Sequence, residues 1–130
     1  MVPTKVLIVE DSPVQAQKLR LTLEEEGWRV LWAADGQEGL NVARREKPDV
    51  IVLDIQLPTL NGFQVARGLK ADPTTAAIPI IMLTTRDNAM DALTGLEAGA
   101  IDYVPKDAFA EAVVLETIRQ LREEAGYEDG

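Results

Sequence analysis

Val50-Ile51-Val52-Leu53, followed at once by Asp54, is the stretch on which the fold of this chain turns. An unbroken apolar run of this kind belongs to a strand covered on both faces, and strands buried on both faces belong to parallel sheets. Upstream, Asp35 is placed to cap a helix that carries Leu40 and Ala43 and must end before Pro48. Downstream, Pro58 and Asn61-Gly62 mark a loop before a helix through Val65 and Leu69, which Pro73 closes. The same alternation continues to both ends. Lys5 to Val9 reads as a first strand, and Ser12-Pro13 opens a helix with Ala16, Leu19 and Leu23 on one face up to Gly27. Arg29 to Ala33 reads as the second strand, Ile80 to Leu83 as the fourth, and Asp102 to Val104 as a short fifth. Met90, Leu93 and Leu96 lie on the fourth helix, ended by Gly99, and Val114, Ile118, Leu121 and Ala125 mark the last. Five β-α pairs with short connections predict an α/β fold: a doubly wound, five-stranded parallel sheet with helices on both faces.

With 130 residues the chain is expected to be one domain, residues 1–130, with 126–130 as a tail. Its 46% hydrophobic and 27% charged residues suffice for a core, so no disordered or fibrous class is needed. It contains neither Cys nor His. That removes disulfides, thiolate and imidazole metal ligands, Cys nucleophiles, His general bases and phosphohistidine on this chain. Any chemistry runs on carboxylates, hydroxyls, Lys and Arg. The apolar runs are far shorter than the roughly 20 residues of a membrane span, and the N-terminus has no signal-peptide pattern. A cytoplasmic location is expected. A net charge of −9 without a Lys/Arg cluster opposes direct nucleic-acid binding, which needs a basic face.

Ligands of doubly wound sheets bind beyond the carboxyl ends of the strands. Glu10-Asp11 follow the first strand, Asp54 the third, Thr84-Thr85 the fourth and Lys106 the fifth. Packing does not select converging carboxylates: two of them about 5 Å apart repel by about 3 kcal/mol at an effective dielectric near 20. A hard divalent cation offsets this, and Mg²⁺ combines a few carboxylates with a substrate phosphate. Three carboxylates balanced by Mg²⁺ and Lys106 leave room for a phosphoryl donor. Asp54 as nucleophile would become an aspartyl phosphate, with positive charge and the Thr84 hydroxyl on the phosphoryl oxygens. An ionised carboxylate needs no base, so the absence of His fits, and the phosphoryl group must come from elsewhere.

These residues resemble the receiver domains of two-component response regulators, the CheY-like family, over essentially the whole chain. The resemblance rests on Val6-Leu7-Ile8-Val9-Glu10-Asp11-Ser12, Pro48 through Pro58, Asn61-Gly62, Pro79-Ile80-Ile81-Met82-Leu83-Thr84, and Gly99-Ala100-Ile101-Asp102-Tyr103-Val104-Pro105-Lys106. It implies a flavodoxin-like strand order 2-1-3-4-5. It further implies that Asp54 accepts phosphate from a histidine kinase or histidine phosphotransfer protein. Glu10 and Asp11 would hold Mg²⁺ with Asp54 and the Gln56 carbonyl, and Lys106 would contact the phosphoryl group. Thr84 would move toward that group and Tyr103 turn inward, remodelling the surface of the fourth helix, fifth strand and fifth helix for a downstream protein. The implied role is a signalling phosphoacceptor, not an enzyme, and pairing with a second copy is left open.

Three positions depart from the family pattern. Asp107 follows Lys106 where Pro is usual, with Pro105 before it, which bears on how the loop places Lys106. Thr85 is larger than the common Ala or Gly, which bears on access to Asp54, and Glu10 is one methylene longer than the commoner Asp. Arg86 and Gln56 flank the site. Among competing functions, a pseudo-receiver would lack an acidic, Asp or Lys position, and none is missing. An aspartate-nucleophile phosphatase would want a second Asp where Gln56 stands. An FMN binder would want a Gly/Ser/Thr-rich phosphate cradle where Glu10-Asp11 stand.

Overall fold

The computed structural model describes residues 2–84 and 89–126, with side chains at 89–92 outside the description. Strands β1 (Lys5–Val9), β2 (Arg29–Ala33), β3 (Val50–Asp54), β4 (Ile80–Thr84) and β5 (Asp102–Pro105) alternate with five helices. The helices are α1 (Pro13–Glu24), α2 (Gly36–Glu46), α3 (Gly62–Ala71), α4 (Ala89–Glu97) and α5 (Ala110–Glu124). All four strand pairings are parallel and the order is β2-β1-β3-β4-β5, as the α/β reading requires. β3, β4 and β5 each run one residue past the apolar segment seen in sequence, so that Asp54 and Thr84 are the last ladder residues of their strands. They pair in register with Leu83 and Pro105 respectively.

Every residue of β3 is buried, because alternate side chains enter two separate cores. Ile51 and Leu53 join Leu7, Val9, Ile80 and Met82 beneath α2 and α3. Val50 and Val52 join Val6, Ile8, Ile81 and Leu83 beneath α1 and α5, together with Leu19, Leu23, Val114 and Ile118. The local signals for the helix starts operate as expected. Ser12 accepts from the Gln15 N–H, Asp35 from the Glu38 N–H, and Asn61 and Gln64 form a reciprocal capping box. Gly62 is required for packing. A Cβ there would stand 2.4 Å from the Asp54 carbonyl oxygen, so only glycine lets α3 begin against the end of β3.

Two apolar patterns differ from a buried stripe. Leu93 and Leu96 of α4 are 51% and 50% exposed, so helical spacing there does not face the core. Ala125 caps α5 in an exposed position. The assignments of Met90, Thr85, Arg86 and the tail residues 127–130 lie outside the described side chains. Among the described residues, no helix is long and apolar enough to cross a membrane.

Candidate functional site

The central strands deliver their following residues to one edge. Glu10 directly follows β1, where its N–H donates to Ala33 O at 3.0 Å and its carbonyl accepts the Trp32 indole N–H at 2.7 Å. These bonds hold the residue at the strand end although its side chain is a buried carboxyl group. Asp54 ends β3, and its Oδ1 accepts the Gln56 N–H at 3.2 Å. The backbone N–H of Lys106 donates to Thr84 O at 2.6 Å, which fastens the turn after β5 to the end of β4.

The Lys106 ammonium donates to Asp54 Oδ2 at 2.6 Å, Glu10 Oε1 at 2.9 Å and Gln15 Oε1 at 2.8 Å. The missing Pro after Lys106 therefore does not displace its head from the acids. Glu10 and Asp54 are 3% and 4% exposed, whereas Asp11, just before the α1 cap, is exposed. Ligand oxygens of Glu10, Asp11 and Asp54 all lie within 4.8 Å of one another. Among the described residues, one ammonium stands against these three carboxylates, and the Glu10 carboxyl is shifted. Burial first, then the hydrogen bond to Asp54, push its carboxyl up to about 7. Burial acts most strongly on Lys106 and would lower it, yet bonds to Asp54 and Glu10 outweigh burial and raise it. All donors here are hard oxygens. Their spread is close to the roughly 4 Å across an octahedral magnesium shell, so these residues fit a small divalent cation.

The structure brings together Glu10, Asp11, Asp54 and Lys106, with Gln56 meeting Asp54 through its N–H. Thr84 is buried at the end of β4, and Tyr103 is half-buried on the core beneath α2 and α3. In register, Tyr103 pairs with Met82, so by strand alternation Thr84 and Tyr103 share one face of the sheet. Gln15 and Trp32 are the two contacts that sequence reading missed. Gln15 lies four residues beyond Asp11, one turn into α1, and Trp32 is in register with Ile8. Either spacing points a side chain toward the residue after β1.

The family model of the response regulator receiver domain matches residues 6–125. The chain belongs to this family. It is 46% identical over 114 residues to the protein PilH of Pseudomonas aeruginosa, covering 88% of this chain and 93% of PilH. Other relatives are longer: the chain spans 50% of the probable transcriptional regulatory protein TcrX of Mycobacterium tuberculosis, at 40% identity over 120 residues, which is 92% of this chain. Chemotaxis protein CheY4 of Vibrio cholerae superposes with a TM-score of 0.84 at 32% identity, over 92% of this chain and 98% of its own. The receiver domain of sensor histidine kinase PA1611 from P. aeruginosa has a TM-score of 0.82 at 33% identity, over 97% of this chain and all of its own. That structure has a magnesium ion coordinated in its active-site cleft. As a receiver domain, this chain is a signalling module of the CheY-like fold with an acidic cluster at the expected edge.

Proposed function

We propose that this receiver is a phosphorylation switch in which Asp54 takes a phosphoryl group from the phosphohistidine of a kinase or phosphotransfer protein. The observation that carries this reading is the Lys106 ammonium spanning Asp54 and Glu10 inside a cluster of three carboxylates. An Asp54 oxygen forms the new O–P bond while the N–P bond of the donor breaks and its electron pair stays on the imidazole nitrogen. Glu10, Asp11, Asp54 and the Gln56 carbonyl would hold Mg²⁺. When bound there, the ion supplies positive charge to the equatorial phosphoryl oxygens. Lys106 holds the Asp54 carboxylate in place through its hydrogen bond and turns its donor to the incoming group. Thr84 offers its hydroxyl from β4, and Tyr103, on the same face, follows it inward.

Leu93, Leu96, Ile101, Phe109 and Val113 are exposed on α4, α5 and the segments flanking β5. Exposed apolar side chains there suit a downstream protein, and their arrangement would follow Thr84 and Tyr103. In this proposal one receiver unit carries the function and no turnover enzyme is involved. Acetyl phosphate with Mg²⁺ tests it: intact mass spectrometry should show a gain of one phosphoryl group that Asp54→Ala abolishes. No gain in the unaltered protein would leave a pseudo-receiver, an interaction module that is never phosphorylated.

A further inference from the structure

An ammonium has three N–H donors, and those of Lys106 are all engaged. Two go to the acids of the cluster and the third, at 2.8 Å, to the neutral amide oxygen of Gln15. Gln15 sits on the first turn of α1, its own N–H held at 3.3 Å by the Ser12 cap. The buried faces of Ala16, Leu19 and Leu23 fix that helix on the core. An exposed side chain thus reaches Lys106 from a rigid element.

Lys106 has somewhere else to go. Gln15 and Lys106 line an open cavity of about 230 Å³ between α1 and α5, and the carboxylates of Asp107 and Glu111 line it as well. One Asp107 oxygen accepts the Phe109 N–H at 2.8 Å and keeps further acceptor capacity. A four-carbon stem leaves an ammonium free to choose between such rivals, and charged acceptors attract it more strongly than neutral ones.

We propose that Gln15 is a positioning residue for phosphoryl transfer: by taking the third hydrogen bond of Lys106 it keeps the ammonium on Asp54 and away from Asp107 and Glu111 of the α1–α5 cavity. It does so without adding a charge to an already crowded acidic cluster. The role in transfer rests on Asp54 being the phosphoacceptor, whereas the restraint on Lys106 does not.

Gln15→Met tests it, since Met keeps the length and helix preference of Gln but offers only a weak sulfur acceptor. In the metal-free protein, competitive acetylation by acetic anhydride, read by peptide mass spectrometry, should rise at Lys106 by about three- to tenfold relative to Lys5 and Lys70. Gln15→Glu, which restores an oxygen acceptor, should return Lys106 to low reactivity. With acetyl phosphate and saturating Mg²⁺, Gln15→Met should slow phosphorylation by a similar factor. Its melting temperature and Mg²⁺ affinity should be unchanged, and it should have no effect in a Lys106→Ala background. Unchanged Lys106 labelling overturns the restraint, and raised labelling with an unchanged phosphorylation rate overturns the positioning role. Failure of the unaltered protein to take phosphate overturns the phosphoacceptor reading instead, and the labelling still decides whether Gln15 restrains Lys106.

Discussion

The two edges of the sheet use the same residue types to opposite effect. At the amino edge, Lys5, Arg29 and Arg122 face Glu46 and Asp49. Lys5 Nζ lies 3.7 Å from Glu46, Arg29 3.9 Å from Glu46 and Arg122 3.7 Å from Asp49. Each carboxylate there has a cation within 4 Å, several heads reach solvent, and the Asp49 carboxylate also accepts the Lys5 backbone N–H at 2.8 Å. At the carboxyl edge, three carboxylates converge, and the two that bond Lys106, Glu10 and Asp54, are almost fully buried. Solvent-exposed ion pairs contribute little to stability and call for no partner. A buried excess of one sign costs stability in the free protein, which binding of a cation or phosphoryl group relieves. The difference teaches that charge imbalance at burial, not the number of charges, marks the working edge.

The largest break in this contrast comes from Lys106→Ala. It removes the one cation that bonds the cluster among the described residues, and phosphorylation by acetyl phosphate should fall by about 10²- to 10³-fold. Mg²⁺ binding, followed by titration, should persist, because the oxygen ligands remain; loss of binding would contradict the division of roles between Lys106 and the acids. Next in size, Asp54→Asn should stabilise the metal-free protein by about 1 kcal/mol, since removing one buried negative charge relieves Glu10 while Lys106 keeps a carboxylate partner. The urea midpoint measures this, and an unchanged or lowered midpoint argues against crowding.

The pH dependence sharpens the comparison further. The Glu10 carboxyl is raised from 4.5 to about 7 in the folded protein, so the folded form holds this proton more tightly than the unfolded chain does. Its contribution to stability is fully present below pH 4.5 and is lost as pH rises through about 7. Mg²⁺ must displace that proton. Thermal melts should therefore show Mg²⁺ stabilising the protein more strongly above pH 7 than below it. The smallest effect is expected at the amino edge, where Glu46→Gln should shift stability by less than about 1 kcal/mol, with no Mg²⁺ dependence. A larger or metal-sensitive change there would erase the distinction between the edges.

Much of the fold was legible because its signals are local. Val50 to Leu53 identifies a doubly covered strand by composition alone, and Ser12-Pro13, Asp35 and Asn61 are caps whose partners lie within three residues. The acids, the hydroxyl and the lysine were legible for a related reason: each directly follows, or ends, a strand. Leu93 and Leu96 were less informative, because an apolar spacing does not say whether a helix turns that face to the core or to solvent. Gln15 was passed over because one amide in an amphipathic helix carries no mark of its partner.

By itself the sequence determined the alternation of strands and helices, the excess of negative charge and the exclusion of thiol and imidazole chemistry. Only tertiary structure decided that Lys106 meets Asp54, Glu10 and Gln15, which lie 52, 96 and 91 residues away along the chain. Periodicity and capping act over a few residues and can be read in order. Convergence depends on strand order and register, which are set when distant apolar faces are buried together, and no local spacing encodes that.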